Sequence, residues 1–328
     1  MLRFLVRRLL LMIPLIVGIT FISFCAMSLV PGNFLTGLAM NPQISPQVIK
    51  QMEAEFGLNQ PLLLRYLSWL WHVIHLNFGV SLQYRVGVTS LIGSRALNTV
   101  ILSVASMIFT WLLAIPLGII VAVKQNSILD RLLSFLAFLG MSMPAFFLAF
   151  LALDFALWMD KPWLPVGGTI SPEFPSLGTW SKLADRADHL ILPVLVLGLA
   201  GMASLMRLMR SQILDIKEAE YVRTARAKGL PEFLVIGKHV LRNALNPFVT
   251  MAGYALADLL SGAALVEAVM NLQGLGLLLL NAVQSLDIPL VMGSVLMGTV
   301  LLLLGNLLAD IALVIVDPRV DFGVMASQ

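Results

Sequence analysis

Six apolar stretches alternate with more polar connections along the chain, and each is close to the length at which a helix crosses a membrane. About 20 residues, rising about 1.5 Å each, cover the roughly 30 Å of hydrocarbon in a bilayer. The predicted spans are Leu9–Leu29, Thr99–Val121, Leu132–Leu153, Leu190–Leu208, Phe248–Val269 and Ile288–Val314. The pattern therefore predicts an all-α polytopic membrane protein with six transmembrane helices. Pro116 and Pro144 are expected to kink the second and third spans.

The first span is interpreted as a retained signal anchor, because its apolar stretch is longer than the ~7–15 residues of a signal-peptide core. The segment after it is expected to be external, with a turn between two helices at Gly57-Leu58-Asn59-Gln60-Pro61. The next residues, Leu62–Leu76, combine aromatic residues with few charges, which predicts a helix at the outer interface of the membrane. A seventh span is the competing interpretation, which the arginine and two histidines in this stretch disfavour. Residues 1–98 thus form the signal anchor with its external segment, and residues 99–328 form a core domain with five spans.

The composition agrees with a membrane protein. Hydrophobic residues make up 59% of the chain, charged residues only 12%, and the mean hydropathy is +0.92, whereas soluble domains carry about 25% charged residues. The net charge of +3 is too small to indicate nucleic-acid binding. A single cysteine, Cys25, and four scattered histidines do not predict a metal site. The sequence contains no Gly-x-x-x-x-Gly-Lys-Ser/Thr phosphate loop, so neither ATP binding by that route nor an enzyme is predicted.

The distribution of Lys and Arg predicts the orientation of the spans. Three arginines lie among the first eight residues, and eight basic residues lie between Arg207 and Arg242, whereas residues 271–287 contain none. Short connections that are rich in Lys and Arg face the cytoplasm. Both termini and the connection after the fourth span are therefore predicted to be cytoplasmic.

Three carboxylates fall within or near the predicted spans, where charge is costly and usually functional. They are Asp258 and Glu267 in the fifth span and Asp310 in the sixth. One hypothesis is a proton or ion relay, which would make the chain an ion-coupled secondary transporter. The other places these side chains on a polar cavity between helices or on an external vestibule. The second is favoured, because no buried Lys or Arg partner and no inverted repeat are evident.

The cytoplasmic connection, about residues 211–247, is predicted to form two helices joined by a turn. Asp215–Leu230 is rich in alanine, with acidic residues toward its start and basic residues toward its end, as the helix dipole favours. Gly229 supplies a C-terminal stop, with a proline two residues further on. A second helix is predicted over Phe233–Asn243. A solvated loop on the membrane surface is the alternative, which accounts for the charge but not for the pattern.

Two runs in this connection resemble the coupling motif of ABC-importer permeases, in particular those of the dipeptide/oligopeptide/nickel branch. The runs are Glu220-Tyr221-Val222-Arg223-Thr224-Ala225-Arg226-Ala227-Lys228-Gly229-Leu230 and His239-Val240-Leu241-Arg242-Asn243-Ala244, followed by Pro247. The resemblance extends almost end to end, through Phe78-Gly79-Val80-Ser81, Met143-Pro144, Trp163-Leu164-Pro165 and Asp317-Pro318-Arg319. The long external segment after the first span is similar to that of the B-type permease of this branch.

Two external turns depart from the family pattern. Asn271-Leu272-Gln273-Gly274-Leu275-Gly276 stands where the family usually has Trp-Pro-Gly-x-Gly, and Pro31-Gly32-Asn33-Phe34 stands in place of Pro-Gly-Asp-Pro. Because both turns are predicted to be external, the departures bear on contacts with substrate or with a binding protein rather than on coupling.

The resemblance implies the type I fold of ABC-importer permeases and a pore subunit that is not itself an enzyme. The implied partners are a homologous second permease, two ATPase subunits that hold ATP and Mg²⁺, and an extracytoplasmic substrate-binding protein, at the inner membrane of a prokaryote. This chain is implied to hold no cofactor or metal. Closure of the ATPases would push on the coupling helix and move a central cavity between inward-facing and outward-facing states. Di- and oligopeptides are the default substrates, with nickel chelates and other small solutes left open.

The resemblance also implies roles for individual residues. The residues implied to couple to the ATPase are Glu220, Tyr221, Arg223, Thr224, Ala225, Arg226, Ala227, Lys228, Gly229 and Leu230. The residues implied to support the connection are His239, Arg242, Asn243 and Pro247.

Overall fold

The computed structural model describes residues 2–32, 34–39, 45–55, 57, 59–161, 163–248, 251 and 264–316. Within this part of the chain the regular structure is helical, apart from an isolated bridge between Val80 and Gly87. The helices are α1 (Leu2–Leu29), α2 (Phe34–Ala39), α3 (Pro46–Glu55), α4 (Leu62–Ile74), α5 (Val88–Val123), α6 (Ile128–Ser142), α7 (Ala145–Met159), α8 (Thr179–Ile216), α9 (Glu220–Ala227), α10 (Glu232–Leu234), α11 (Leu241–Ala244), α12 (Leu275–Gln284) and α13 (Ile288–Val316). A π-helical turn, Val235–Val240, joins α10 to α11.

Four of the described helices, α1, α5, α8 and α13, are long and apolar enough to cross a membrane. Helices α6 and α7 would add a fifth span if the pair crosses as one. The predicted spans that fall on the four long helices are therefore confirmed as helices. The fifth predicted span, Phe248–Val269, lies mostly outside the described residues, so the total of six stays a prediction.

The third predicted span, Leu132–Leu153, is wrong as a single helix. The chain bends by 103° between α6 and α7. Met143 is extended, with φ −99° and ψ 127°, because the ring of Pro144 disfavours helical backbone in the residue before it. Pro116, by contrast, lies inside α5, which continues through it. The kink predicted at Pro144 is thus a full break between two helices.

The helix predicted within Leu62–Leu76 is confirmed as α4. Pro61 precedes its first residue, and Gly57 adopts a φ of +63° in the turn before it, as the sequence pattern predicted. The position of α4 at the outer interface stays a prediction.

The chain divides into two compact units, of which unit 1 comprises Met1–Thr99 and Gln273–Leu303. In unit 1, the Tyr66 hydroxyl of α4 donates to the Val17 carbonyl of α1 at 3.0 Å. The first turns of α5 pack against α12 and α13 in a separate buried cluster. Gly293 allows a close approach there, because a Cβ at this position would lie 2.6 Å from Cγ1 of Val88.

Unit 2 comprises Val100–Leu272 and Leu304–Gln328. Within it, α5 and α8 approach closely at Gly118, where a Cβ would lie 2.8 Å from the Met206 carbonyl oxygen. Arg210 of α8 donates to a carboxylate oxygen of Asp130 on α6 at 3.0 Å. These contacts hold the end of α8 that leads into the predicted cytoplasmic connection.

Candidate coupling site

Helix α9 covers the first eight residues of the run Glu220–Leu230, which resembles the coupling motif. The single helix predicted over Asp215–Leu230 is wrong, because α8 ends at Ile216 and α9 starts at Glu220. Ala219 is extended, with φ −66° and ψ 145°, which turns the chain between the two helices. Local helix propensity favours continuing through these residues, so the break reflects the burial of one face of α9 against the rest of unit 2.

The buried face of α9 consists of Val222 and Ala225. Both belong to one hydrophobic cluster with Met209 and Ile213 of α8 and with Val235 of the following helical segment. Val222 is fully buried, and burying a valine side chain contributes about 1.5–3 kcal/mol. These contacts attach α9 to the last turns of a membrane-spanning helix.

The end of α9 is fixed by a Schellman motif. The amide of Gly229 donates to the Arg226 carbonyl at 2.9 Å, and the amide of Leu230 donates to the Ala225 carbonyl at 3.4 Å. Gly229 adopts the left-handed conformation that the motif requires, with a φ of +76°, and a Cβ there would meet nothing within 4 Å. The predicted role of Gly229 as a helix stop is confirmed, and it depends on backbone conformation rather than on space.

Arg226 connects α9 to the elements on both sides of it. Its Nε and Nη2 atoms donate to the two carboxylate oxygens of Glu232 at 3.1 and 2.8 Å, and Nη1 donates to the Lys217 carbonyl at 3.2 Å. The hydrogen bonds with Glu232 raise the pKa of Arg226, and those with Arg226 lower the pKa of Glu232. Arg226, implied by the resemblance to contact an ATPase, therefore makes three hydrogen bonds to two residues of its own chain.

The opposite face of α9 is exposed and polar. Arg223 pairs with Glu220 at 3.2 Å and with Glu218 at 3.6 Å, and all three side chains are more than half exposed. Lys228 is also exposed. Such screened surface pairs contribute little to stability, so these side chains are available to a partner.

Among the remaining residues implied to couple or to support the connection, some form hydrogen bonds within the chain and the others are exposed or partly exposed. The Tyr221 hydroxyl accepts a hydrogen bond from Asn243 Nδ2 at 2.8 Å, which ties α9 to α11. The Thr224 hydroxyl donates to the Glu220 carbonyl at 2.9 Å. The residues that lie exposed or partly exposed are Ala227, Leu230, His239, Arg242 and Pro247. Of the four predicted supporting residues, Asn243 is the one for which a contact with α9 is seen.

The three predicted carboxylates lie in different settings. Asp258 falls outside the described residues. Glu267 is fully buried, and Asp310 is partly buried in α13. A role for them at a cavity or vestibule stays a prediction.

Two other acidic residues were missed in the sequence. Asp130 is buried and forms an ion pair with Arg210. The sequence feature that marks its position is Ser127, which caps the start of α6 by accepting a hydrogen bond from the Asp130 amide at 3.2 Å. Asp287 is fully buried at the start of α13. One of its oxygens accepts from the Leu290 amide at 3.2 Å, and the other accepts from the Ser81 hydroxyl at 2.6 Å. In the sequence, an aspartate followed by Ile-Pro is a pattern typical of a helix start, and this pattern marks Asp287 as a capping residue.

Comparison with known proteins gives the family. Residues 114–322 match the family described as "Binding-protein-dependent transport system inner membrane component", and residues 1–102 match its N-terminal counterpart. The chain belongs to this family. As a member of the binding-protein-dependent transport permeases it is a polytopic membrane protein, and the assignment does not favour an ion-coupled secondary transporter.

The relatives of this permease match it along nearly the whole chain. The oligopeptide transport system permease protein AppB of Bacillus subtilis is 38% identical, covering 97% of this chain and 99% of that one. The dipeptide transport system permease protein DppB of Escherichia coli K12 is 37% identical, covering 98% and 99%. The glutathione transport system permease protein GsiC of Salmonella paratyphi A is 36% identical, covering 98% and 100%.

The fold of the permease is also seen in a solved structure. An inward-facing form of the MetNI methionine ABC transporter matches with a TM-score of 0.54 and 18% sequence identity, covering 70% of this chain and 97% of that one. At this identity the match establishes the fold alone.

Proposed function

We propose that this permease forms the membrane pore of an ATP-driven peptide importer and receives substrate from an external binding protein. A homologous second permease would complete the pore. Two ATPase subunits would hold ATP and Mg²⁺ on the cytoplasmic side, where both termini of this chain lie. A peptide substrate is supported by the names of the relatives, which are permeases for oligopeptides (AppB), dipeptides (DppB) and glutathione (GsiC). Glutathione is itself a small peptide.

The observation that carries the proposal is the two-faced structure of α9. Its apolar face is buried in the same cluster as the end of α8, while Arg223 and Lys228 lie exposed on the polar side. A helix that only covered the membrane surface would not need the hydrogen bonds of Arg226 to Glu232 and to the Lys217 carbonyl, which together form the Arg226 clamp. This arrangement supports a docking element whose position is fixed relative to a span.

In the proposed mechanism, α9 transmits the movement of the ATPases. ATP binding would bring the two ATPases together and displace the exposed face of α9. Because Arg226 bonds to the Lys217 carbonyl just beyond α8, a displacement of α9 also moves the end of α8. A change in the tilt of the spans would then move the substrate cavity between its two orientations, as in other domain-closure transitions.

The composition of the complex is tested by purifying the tagged full-length chain from native membranes in a mild detergent. Mass spectrometry is expected to find a second permease and one or two ATPases in fixed ratio with this chain. A chain that purifies alone, under conditions that keep another ABC importer of the same cells intact, would contradict the proposal.

The substrate is tested by uptake in cells that lack this chain and in cells that carry it again. Labelled dipeptides, oligopeptides, glutathione, methionine and a nickel chelate are compared. Restored uptake of a peptide, abolished when the ATP-binding site of the partner ATPase is inactivated, is the expected result. Restored uptake of only the nickel chelate or methionine would exclude peptides as the substrate class.

A further inference from the structure

Unit 1 contains a cavity of about 470 Å³ that the coupling mechanism does not use. Its wall is formed by residues of α1, α2, the end of α3 and the turn that follows, by α4, by residues 77–79 and 82, and by residues around the start of α13. Of the described residues that line it, most are apolar or aromatic, and none is acidic. Its volume falls within the usual range of small-ligand sites, about 300–1,000 Å³.

The polar groups that line this cavity include the guanidinium of Arg65, for which no hydrogen-bond acceptor is seen in the described part of the chain. Arg65 lies over the ring of Phe24, with 5.5 Å between Cζ and the ring centroid, and no carboxylate pairs with it in the described part of the chain. Burial lowers the pKa of this guanidinium, because the surroundings solvate its charge poorly. The ring of Trp69 also lines the cavity, but its indole nitrogen is buried away from the cavity space. The guanidinium of Arg65 suits a ligand with negatively charged oxygen atoms.

The exposed helix face beside the cavity indicates what kind of anionic ligand would bind there. Arg65, Ser68 and His72 line the cavity from one face of α4. The outward face of α4 is apolar and exposed, and its large side chains are Leu63, Leu64, Leu67, Trp71 and Ile74. A cavity that holds a cationic side chain and is bordered by an exposed apolar helix face matches a ligand that is anionic at one end and apolar at the other.

We propose that this cavity binds the anionic headgroup of a phospholipid. The phosphate would accept hydrogen bonds from Arg65, and the acyl chains would leave along the apolar face of α4. A phosphate group alone is much smaller than the cavity of about 470 Å³, whereas a headgroup with its glycerol carbons would occupy more of it. A bound lipid would join α1, α4 and α13 at the outer side of unit 1.

The test is a lipid titration of the delipidated, purified full-length complex, followed by native mass spectrometry. Phosphatidylglycerol is expected to bind, and Arg65→Gln should weaken this binding about tenfold or more, since it removes a charge-assisted contact. Ser68→Phe should weaken it also, because the larger side chain enters the cavity while the charge remains. Arg85→Gln is the matched control: it removes an exposed arginine of the same unit outside the cavity and should leave binding unchanged.

The same experiment distinguishes a lipid headgroup from free phosphate and from an acidic protein partner. If millimolar inorganic phosphate displaces the lipid, or binds in its place with the same dependence on Arg65, the site is one for free anions and the lipid proposal is wrong. Equal binding by wild type, Arg65→Gln and Ser68→Phe would also overturn it. Unchanged lipid binding with weaker capture of the external binding protein in Arg65→Gln would assign Arg65 to a protein contact instead. Elution of all variants as the intact complex during gel filtration excludes misfolding.

Discussion

The position of α9 is expected to depend on Arg226 and not on Arg223, although both arginines lie in the same short helix. Arg226→Ala removes the bidentate pair with Glu232 and the bond to the Lys217 carbonyl. The two charged side chains are 38% and 54% exposed, so the pair is screened and contributes about 0.5–1 kcal/mol. The bond to the carbonyl adds about 1 kcal/mol. The docked state of α9 should therefore lose about 1.5–2 kcal/mol, which is roughly a ten- to thirtyfold rise in the undocked population.

Hydrogen–deuterium exchange of the α9 amides in the purified complex measures this population. Exchange should accelerate by about the same ten- to thirtyfold factor in Arg226→Ala. Arg223→Ala is the matched control, because it makes the same residue change while removing only highly exposed ion pairs. It should change exchange by less than about threefold and should instead weaken binding of the ATPase.

A double-mutant cycle tests whether Glu232 is the partner. Glu232→Gln should reproduce part of the effect of Arg226→Ala, and the double variant should exchange little faster than Arg226→Ala alone. Equal exchange in Arg223→Ala and Arg226→Ala would refute the reasoning. So would full additivity of the Arg226 and Glu232 changes, since it would mean that the two side chains do not interact.

Three further outcomes follow from the structure. The pKa of Glu232 is lowered, so the ion pair of Arg226 with Glu232 is intact above the ordinary value of 4.5 and is lost as the pH falls through the lowered value. Distances between spin labels on α8 and α9 should therefore be constant from about pH 8 to 6 and change only in acid. Gly229→Val should cost about 1–2 kcal/mol of backbone strain and reduce uptake per ATP hydrolysed, whereas Gly229→Asn should be tolerated. Asp287→Ala should lower the thermal midpoint of the purified chain, by the equivalent of about 2–4 kcal/mol, and Asp287→Asn by less.

The features that the sequence predicted well are those that depend on local pattern. Long apolar stretches predicted α1, α5, α8 and α13, because hydrophobic length alone defines a span. The left-handed stop at Gly229 was also predictable, since glycine followed by proline ends a helix for reasons of backbone conformation. The same reasoning predicted only a kink at Pro144, where the chain breaks into two helices. A proline in the sequence does not reveal whether neighbouring helices keep the two segments on either side of it aligned.

The features that could not be predicted are those that depend on distant partners. Arg226 and Arg223 are three residues apart in one motif, and nothing local distinguishes an arginine clamped to Glu232 from one exposed to a partner. The pair between Asp130 and Arg210 joins residues 80 positions apart. The break between α8 and α9 likewise depends on where Val222 and Ala225 find a buried site. Helix propensity gives no information on that site.

A coupling element must resist deformation on one side and be accessible on the other, and the energies at α9 satisfy both conditions. Burial of Val222 and the Arg226 clamp together contribute a few kcal/mol to the attachment of α9. The exposed ion pairs of Arg223 contribute less than about 1 kcal/mol, so a partner can replace them at little cost. Under the proposed mechanism, a force applied to the exposed face would therefore exchange weak surface contacts before it broke the attachment to α8. Because α8 is one continuous helix from Thr179 to Ile216, a movement at its end would, under the proposed mechanism, be carried into its apolar part.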